Sequence, residues 1–415
     1  MRTLVRVSGI FVGRLLAVMA CTALLATGAL LPRVAVAQKK EQEVSAKLFE
    51  KLGPAQEALK KRDYATALAL SKEALQVAKS GHERELSLRM VYNAASGAQN
   101  FQEVANAIEQ LSQLESVSAA EKLGFKRTLG QIYEQLRQYD RAISDTKDYI
   151  RGSGGSPKDW ELVYRVYAVQ NNCPESLAAL DKALAGKAAD ENQLKWQQGC
   201  YYKSKDTVKR LPVLEELVRR FPKKDYFASL LTVYELEQKL DERTLLNVLR
   251  WGFERDVLSR DVDYIEYAEF ALNVGSSFEA QRALDRGTAK GVLKKGDPSS
   301  KLARLLDSTK RIAAEDKVKV VQLDKEARAG KNGESDVVLG AQYYGLGEYA
   351  KAAEALQRGL QADRVAKIKR VDDANLLLGI VQWKPKKRAD ADKAFGLAKA
   401  DPRMAKAAGL WLGAA

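Results

Sequence analysis

The sequence predicts an all-α fold, a superhelical solenoid of about ten helix-turn-helix repeats, and three observations predict it. A residue pattern recurs along the chain at intervals of roughly 34 to 39 residues, clearest at Leu339, Gly340, Tyr343, Gly347, Tyr349 and Ala352 and again at Leu129, Gly130, Tyr133, Tyr139 and Ala142. Each period holds a small or apolar residue at one fixed place, and each leaves room for two helices of roughly 12 to 14 residues, an ordinary helix length. A unit of that kind buries its apolar face only by stacking on its neighbours.

The pattern reads as a tetratricopeptide repeat. Its fixed small or apolar place in the second helix falls at Ala67, Val104, Ala142, Ser176, Arg210, Leu245, Ala280, Ala352 and Ala391. A methyl group there lets the two helices of a unit cross closely. Arg210 departs from the rule, so its unit must pack differently or swing the long side chain outward. Between Ala280 and Ala352 the gap of 72 holds two periods, so a degraded unit is expected around Ala313 to Ala327.

Taken in order, residues 1–37 read as a signal peptide. Arg2, Arg6 and Arg14 form a positive start, Leu15 to Leu31 is apolar, and Ala35, Val36 and Ala37 form a cleavage site before Gln38. Pro32 and Arg33 interrupt the apolar run where a spanning helix would continue, and the apolar run continues well past Cys21, which argues against a lipid anchor there. Residues 38–151 form an N-terminal arm of about three repeats. Gly152 to Pro157, Gly-Ser-Gly-Gly-Ser-Pro, breaks the helical pattern and reads as a hinge. Residues 158–404 form a C-terminal arm of about seven repeats, and 405–415, with Trp411 and Leu412, cap the last one.

The formal charge is +14; the signal segment holds four arginines (Arg2, Arg6, Arg14, Arg33) and no acid, which leaves 14 − 4 = +10 on the mature chain. That excess suits acidic protein partners or an anionic envelope more than nucleic acid. Enzyme signals are nearly absent. The sole histidine, His82, sits in a polar junction beside Gly81 and Glu83, with no partner set for nucleophilic catalysis. Gly340, Gly345 and Gly347 follow no strand, so helix packing rather than phosphate binding accounts for them. Arg364, Lys367, Lys369 and Arg370, and then Lys384, Lys386, Lys387 and Arg388, form two basic clusters that read as solvated loops. No cofactor is implied, and two cysteines with one distant histidine cannot close a zinc site.

Outside the signal segment, Cys173 and Cys200 are the only cysteines. In register, Cys173 lies near the start of one unit's second helix and Cys200 towards the end of the next unit's first helix. Antiparallel packing of those helices would bring the sulfurs to one edge and allow a disulfide; the alternative is two buried thiols filling apolar space.

Binding is expected on the first helices, whose non-packing face lines the concave side of such an array. The register places Arg127, Gln131 and Glu134 there in the third unit, Lys158, Glu161 and Arg165 in the fourth, Asn192, Lys195, Tyr202 and Lys203 in the fifth, and Tyr344 and Trp383 further along. Charged forks beside aromatics suit an extended peptide or a terminal carboxylate.

The runs Trp160 to Tyr167, Cys200 to Asp206 with Val213 to Leu217 and Phe221-Pro222, then Ala280 to Gly287, Leu339 to Gly359 and Leu377 to Phe395 resemble periplasmic tetratricopeptide proteins of Gram-negative bacteria that accompany the TonB, ExbB and ExbD system. Arg210, the longer turn near Lys239 to Arg243 and the degraded unit after Ala313 depart from that pattern. The resemblance implies a non-enzymatic periplasmic adaptor for outer-membrane transport, with a protein or peptide segment as partner, no nucleic acid, no stable membrane insertion after signal cleavage and no catalytic residues. A structural scaffold for envelope or polymer assembly is the alternative.

Overall fold

The computed structural model describes residues 44–294, 296, 300–384 and 387–412. The predicted signal peptide and the start at Gln38 lie outside the described residues. Two compact units divide between Ala98 and Gln99. The first contains α1 (Ala46–Lys60), α2 (Tyr64–Val77) and α3 (Gly81–Gly97). Helix α2 packs on both α1 and α3, and Ala58, Ala67 and Ala94 meet at the centre.

The second unit begins with α4 (Phe101–Gln113), α5 (Ala119–Gln135), α6 (Tyr139–Ser153), α7 (Pro157–Val169), α8 (Cys173–Leu184), α9 (Glu191–Lys203) and α10 (Thr207–Arg220). Next come α11 (Lys224–Thr232), a π-helical turn Val233–Glu237, α12 (Glu242–Glu254), α13 (Asp261–Asn273) and α14 (Ser277–Ala289). It ends with α15 (Lys301–Ala329), α16 (Gly333–Gly345), α17 (Tyr349–Gly359), α18 (Val371–Trp383), α19 (Arg388–Lys399) and α20 (Ala405–Trp411). No strand occurs among the described residues, and the architecture is that of an all-α solenoid of paired helices.

Every predicted small or apolar place is the fourth residue of its helix, from Ala67 in α2 to Ala391 in α19. Six of the nine, Ala67, Ala142, Ser176, Ala280, Ala352 and Ala391, are wholly buried. A Cβ on Gly130 of α5 would stand 3.3 Å from the Ala142 carbonyl of α6, which shows how closely the pair crosses. Arg210 in α10 does not swing out. Its side chain lies over the Tyr202 ring, 4.8 Å from the centroid, and reaches Glu237 at 3.6 Å.

Eight turns between successive helices share one feature of geometry among the described residues. A residue with positive φ sits at Arg62, Gln99, Arg137, Asn171, Lys205, Lys239, Gly275 and Gly347. In several pairs Asp or Asn follows and caps the second helix: Asp63 accepts from the Thr66 amide, Asn100 from Glu103, Asn172 from Glu175 and Asp206 from Lys209. The left-handed residue reverses the chain and the cap restarts it.

Two expectations change. The unit expected around Ala313 to Ala327 is one continuous helix, α15, because Lys301–Ala329 is rich in Ala, Leu, Lys and Arg and has no Gly or Pro to turn it. Gly152 to Pro157 marks no boundary between compact units. Gly152 and Ser153 complete α6, Pro157 opens α7, and α6 packs on α7 across the short link.

The C-terminal helix does more than cap its neighbour. Helix α20 packs on α19 and also on α12 and α10. Trp411 stacks on Phe395, meets Trp383 edge-on and is fully buried, while the indole N–H of Trp251 in α12 donates to the Leu410 carbonyl at 3.0 Å. Helix α12 is consequently enclosed: Thr244 to Phe253 are all buried.

Candidate protein-interaction surface

Helices α5, α7 and α9 carry most of the residues expected to bind. Neighbouring first helices are tied by ion pairs one repeat apart. The Arg127 guanidinium on α5 donates to Asp159 of α7 at 2.7 Å, and Arg165 on α7 grips Glu134 of α5 through two bonds of 3.0 and 2.9 Å. Glu161 lies 3.5 Å from Arg165 on its own helix. Asp159 also accepts from the Ser156 amide at the start of α7 at 2.8 Å, so the same carboxylate fixes the helix start and the joint. Arg127, Glu134 and Arg165 therefore act first as braces between units.

Between these braces, Gln131, Lys158, Glu161, Asn192 and Lys195 point outward and are exposed. Lys158 and Lys195 make no ion pair with any described residue. Tyr202 and Lys203 stand at the end of α9, beside its turn. The Lys203 ammonium reaches Asn171 of the preceding turn at 3.4 Å, and Arg210 underlies Tyr202.

A disulfide joins Cys173, the first residue of α8, to Cys200 of α9, with α-carbons 5.5 Å apart. It links one helix pair to the next where the separate apolar clusters around Val163 and Leu194 do not merge.

Tyr344 and Trp383 are not part of an open groove. Tyr344 is fully buried in α16, its hydroxyl donating to Glu254 at 2.9 Å. Trp383 is half-buried against Trp411. Tyr344 is covered by Arg250 and Glu254 of α12 and Arg282 of α14, whereas Trp411 of α20 covers Trp383.

Within that closed block runs a buried polar network. Arg250 of α12 donates two bonds to Glu279 of α14, at 2.7 and 2.8 Å, and a third to Asn247 at 2.8 Å. The Tyr267 hydroxyl donates to Glu279 at 2.8 Å, and the Asn247 amide reaches Asp373 of α18 at 2.7 Å. Burial weakens the hold of Arg250 on its proton, but the Glu279 carboxylate outweighs it and the guanidinium is held charged more firmly than usual. Burial also pushes the Tyr267 and Tyr344 hydroxyls well above their ordinary range. Sequence reading missed this network, although a polar Asn247 and Arg250 amid the apolar run of α12 were its signal.

The basic clusters are also partly internal. Arg364 is buried against Asp336 at 3.0 Å, Arg370 pairs with Asp372 at 2.6 Å, and the Lys384 ammonium meets Glu254 at 2.6 Å. Those three are structural ion pairs, whereas Lys367, Lys369 and Lys387 are exposed, as solvated loop residues are, and Lys386 lies outside the described residues. His82 is half-buried in the first turn of α3. Among the described residues no group of three or more His, Cys, Asp or Glu is placed to hold a metal ion.

No family model and no curated protein matches the sequence. Among solved structures the chain is similar to a tetratricopeptide repeat protein from Parabacteroides merdae ATCC 43184, at 10% identity over 81% of this chain and 100% of the other, with a TM-score of 0.32. It is also similar to Naa15/Naa10 bound to HypK-THB, at 14% identity over 85% of this chain and 64% of that one, TM-score 0.34. The tetratricopeptide domain of P58(IPK) matches at 12% identity over 89% and 97%, TM-score 0.23. The assignment to an all-α solenoid rests on the helix pairs and their shared turn, not on these scores.

Proposed function

We propose that the chain is a non-enzymatic protein-interaction adaptor that works in the periplasm beside a TonB-type outer-membrane transport system. In this reading it holds an extended segment of a transport component on the exposed face of α5, α7 and α9. The observation that supports it is the division of labour on that face. Arg127, Glu134 and Arg165 are committed to bracing the units, while Lys158 and Lys195 make no close ion pair and stand beside exposed Gln131, Glu161 and Asn192. A braced row of free polar side chains binds with little loss of order, because its backbone is already fixed. The signal-like start and the resemblance in residues 160–395 supply the compartment and the class of partner.

Affinity capture from envelope extracts tests it, comparing the mature chain with a Lys158→Glu/Lys195→Glu variant. Components of the TonB system should be retained by the first and lost by the second. Capture that is indifferent to the substitutions, or that yields no transport component, overturns the reading. N-terminal sequencing of exported material should begin at Gln38.

A further inference from the structure

We propose a second docking surface along the turn edge of the second unit, from the α5–α6 turn to the α11–α12 turn. Its occupant is an extended acidic segment with spaced apolar side chains. This surface is distinct from the face of α5, α7 and α9 and does not depend on it.

Four large apolar side chains stand unusually open on that edge. Val169 ends α7 and is 59% exposed, Tyr202 near the end of α9 is 64% exposed, Val208 at the start of α10 is 85% exposed, and Leu236 in the π-helical turn is 69% exposed. Single exposed apolar residues need no explanation, but a run of them on one edge marks an interaction site. Contacts between successive turns make the edge continuous. Gln170 donates to Asp140 at 2.9 Å, Lys203 reaches Asn171 at 3.4 Å, and Arg210 bridges the Tyr202 ring to Glu237.

Charge selects the partner. Arg137, Lys205 and Lys239 occupy the left-handed place of three of these turns, with φ of 58°, 56° and 49°, so they project at the edge. None of the three side chains has an ion pair or hydrogen bond to a described residue. The basic side chains of these turns, Arg137, Lys203, Lys205, Lys209, Arg210 and Lys239, outnumber the nearby acids Asp140, Asp206, Glu237 and Asp241. The edge is therefore apolar and net positive, which attracts an acidic segment and repels a basic one. Packed helices lie about 8–10 Å apart, a distance that an extended chain covers in about three residues. An extended partner can thus pass from one turn to the next about every three residues, meeting Val169 at the second turn, Tyr202, Lys205 and Val208 at the third, and Leu236 and Lys239 at the fourth.

The test uses a labelled synthetic peptide of about 15 residues, Leu at every third position and Glu elsewhere, with a Lys-for-Glu counterpart, read by fluorescence anisotropy on the mature chain. The Glu peptide should bind, weaken as salt rises, and lose at least about tenfold in affinity in Val208→Asp/Leu236→Asp and in Lys205→Glu/Lys239→Glu. All four positions are exposed, so unchanged circular dichroism and melting should accompany the loss. Lys158→Glu/Lys195→Glu should leave this binding intact. The proposal is overturned if the Glu peptide fails to bind, if the Lys peptide binds equally, or if the edge variants bind as before. It is equally overturned if Lys158→Glu/Lys195→Glu abolishes binding, which would assign the peptide to the first-helix face. Sedimentation with phosphatidylglycerol vesicles that depends on the edge residues, without peptide binding, would replace the peptide by a membrane surface.

Discussion

Arg250 and Glu279 face each other through two parallel hydrogen bonds, with 1% and 0% of their side chains open to solvent. A pair so deeply placed adds little over an apolar pair of the same shape, but losing one member strands the other. Glu279→Ala should therefore lower unfolding free energy by about 3–5 kcal/mol, read by urea unfolding with intrinsic tryptophan fluorescence as probe. Glu315→Ala, which breaks the exposed Arg311–Glu315 pair on α15, should leave the midpoint nearly unmoved.

Two helical glycines should respond with opposite signs. A Cβ on Gly345 would lie 2.4 Å from the Glu279 amide nitrogen and 2.8 Å from the Phe278 carbonyl carbon, both backbone atoms of α14. Gly345→Ala should force α14 and α16 apart and cost about 1–3 kcal/mol. Gly396 is exposed inside α19 with nothing within 4 Å of the added carbon, so Gly396→Ala should stabilise by about 0.5–1 kcal/mol. Thermal melting of both variants checks the signs.

What the sequence made legible was local. Nine second helices could be placed because each repeats one crossing point, and even Arg210 stands at the right place in its helix. The polar face of α5, α7 and α9 followed from the same register. Its braces did not, because Arg127 finds its partner in Asp159, an acid at the start of the next unit. Helix α15 was misread because spacing alone suggested a turn that its residues do not support. The burial of Tyr344 had no local trace at all, since it follows from contacts such as its hydroxyl with Glu254 of α12, separated by 90 positions.

Glu235, in the π-helical turn, should make stability depend on pH. Burial, then the nearby Glu266 carboxylate and, more weakly, Asp263, push its pKa up to about 7, against the pull of Arg260. Below the unfolded value of about 4.3 both states carry the proton and nothing is lost. As pH rises towards 7 the unfolded chain releases the proton first, so the folded state loses stability, and the loss is complete above 7. Glu235→Gln should raise the melting temperature at pH 8 and leave it unchanged near pH 4. An equal shift at both pH values would contradict this origin.

The Cys173–Cys200 bridge closes a loop of 27 positions, which on the chain-entropy model stabilises by roughly 3 to 4 kcal/mol. Thiol titration of unreduced, denatured mature protein should find no reactive thiol, and two would refute the bridge. Cys173→Ser/Cys200→Ser should unfold at lower urea, with hydrogen exchange fastest to rise at the α8–α9 joint, where the flanking apolar clusters are separate.

The return of α20 to α12 also bears on how the chain comes into being. An array whose units touch only their neighbours can settle one unit at a time as it leaves a ribosome or an export channel. Helix α12 cannot, because part of its covering is made some 159 positions later, when Leu410 arrives. During that interval its apolar surface must stay uncovered or be shielded by something else. Non-local closure of this kind slows folding relative to local stacking. The second half of this protein is accordingly the part with the greatest need of a holding chaperone during biogenesis.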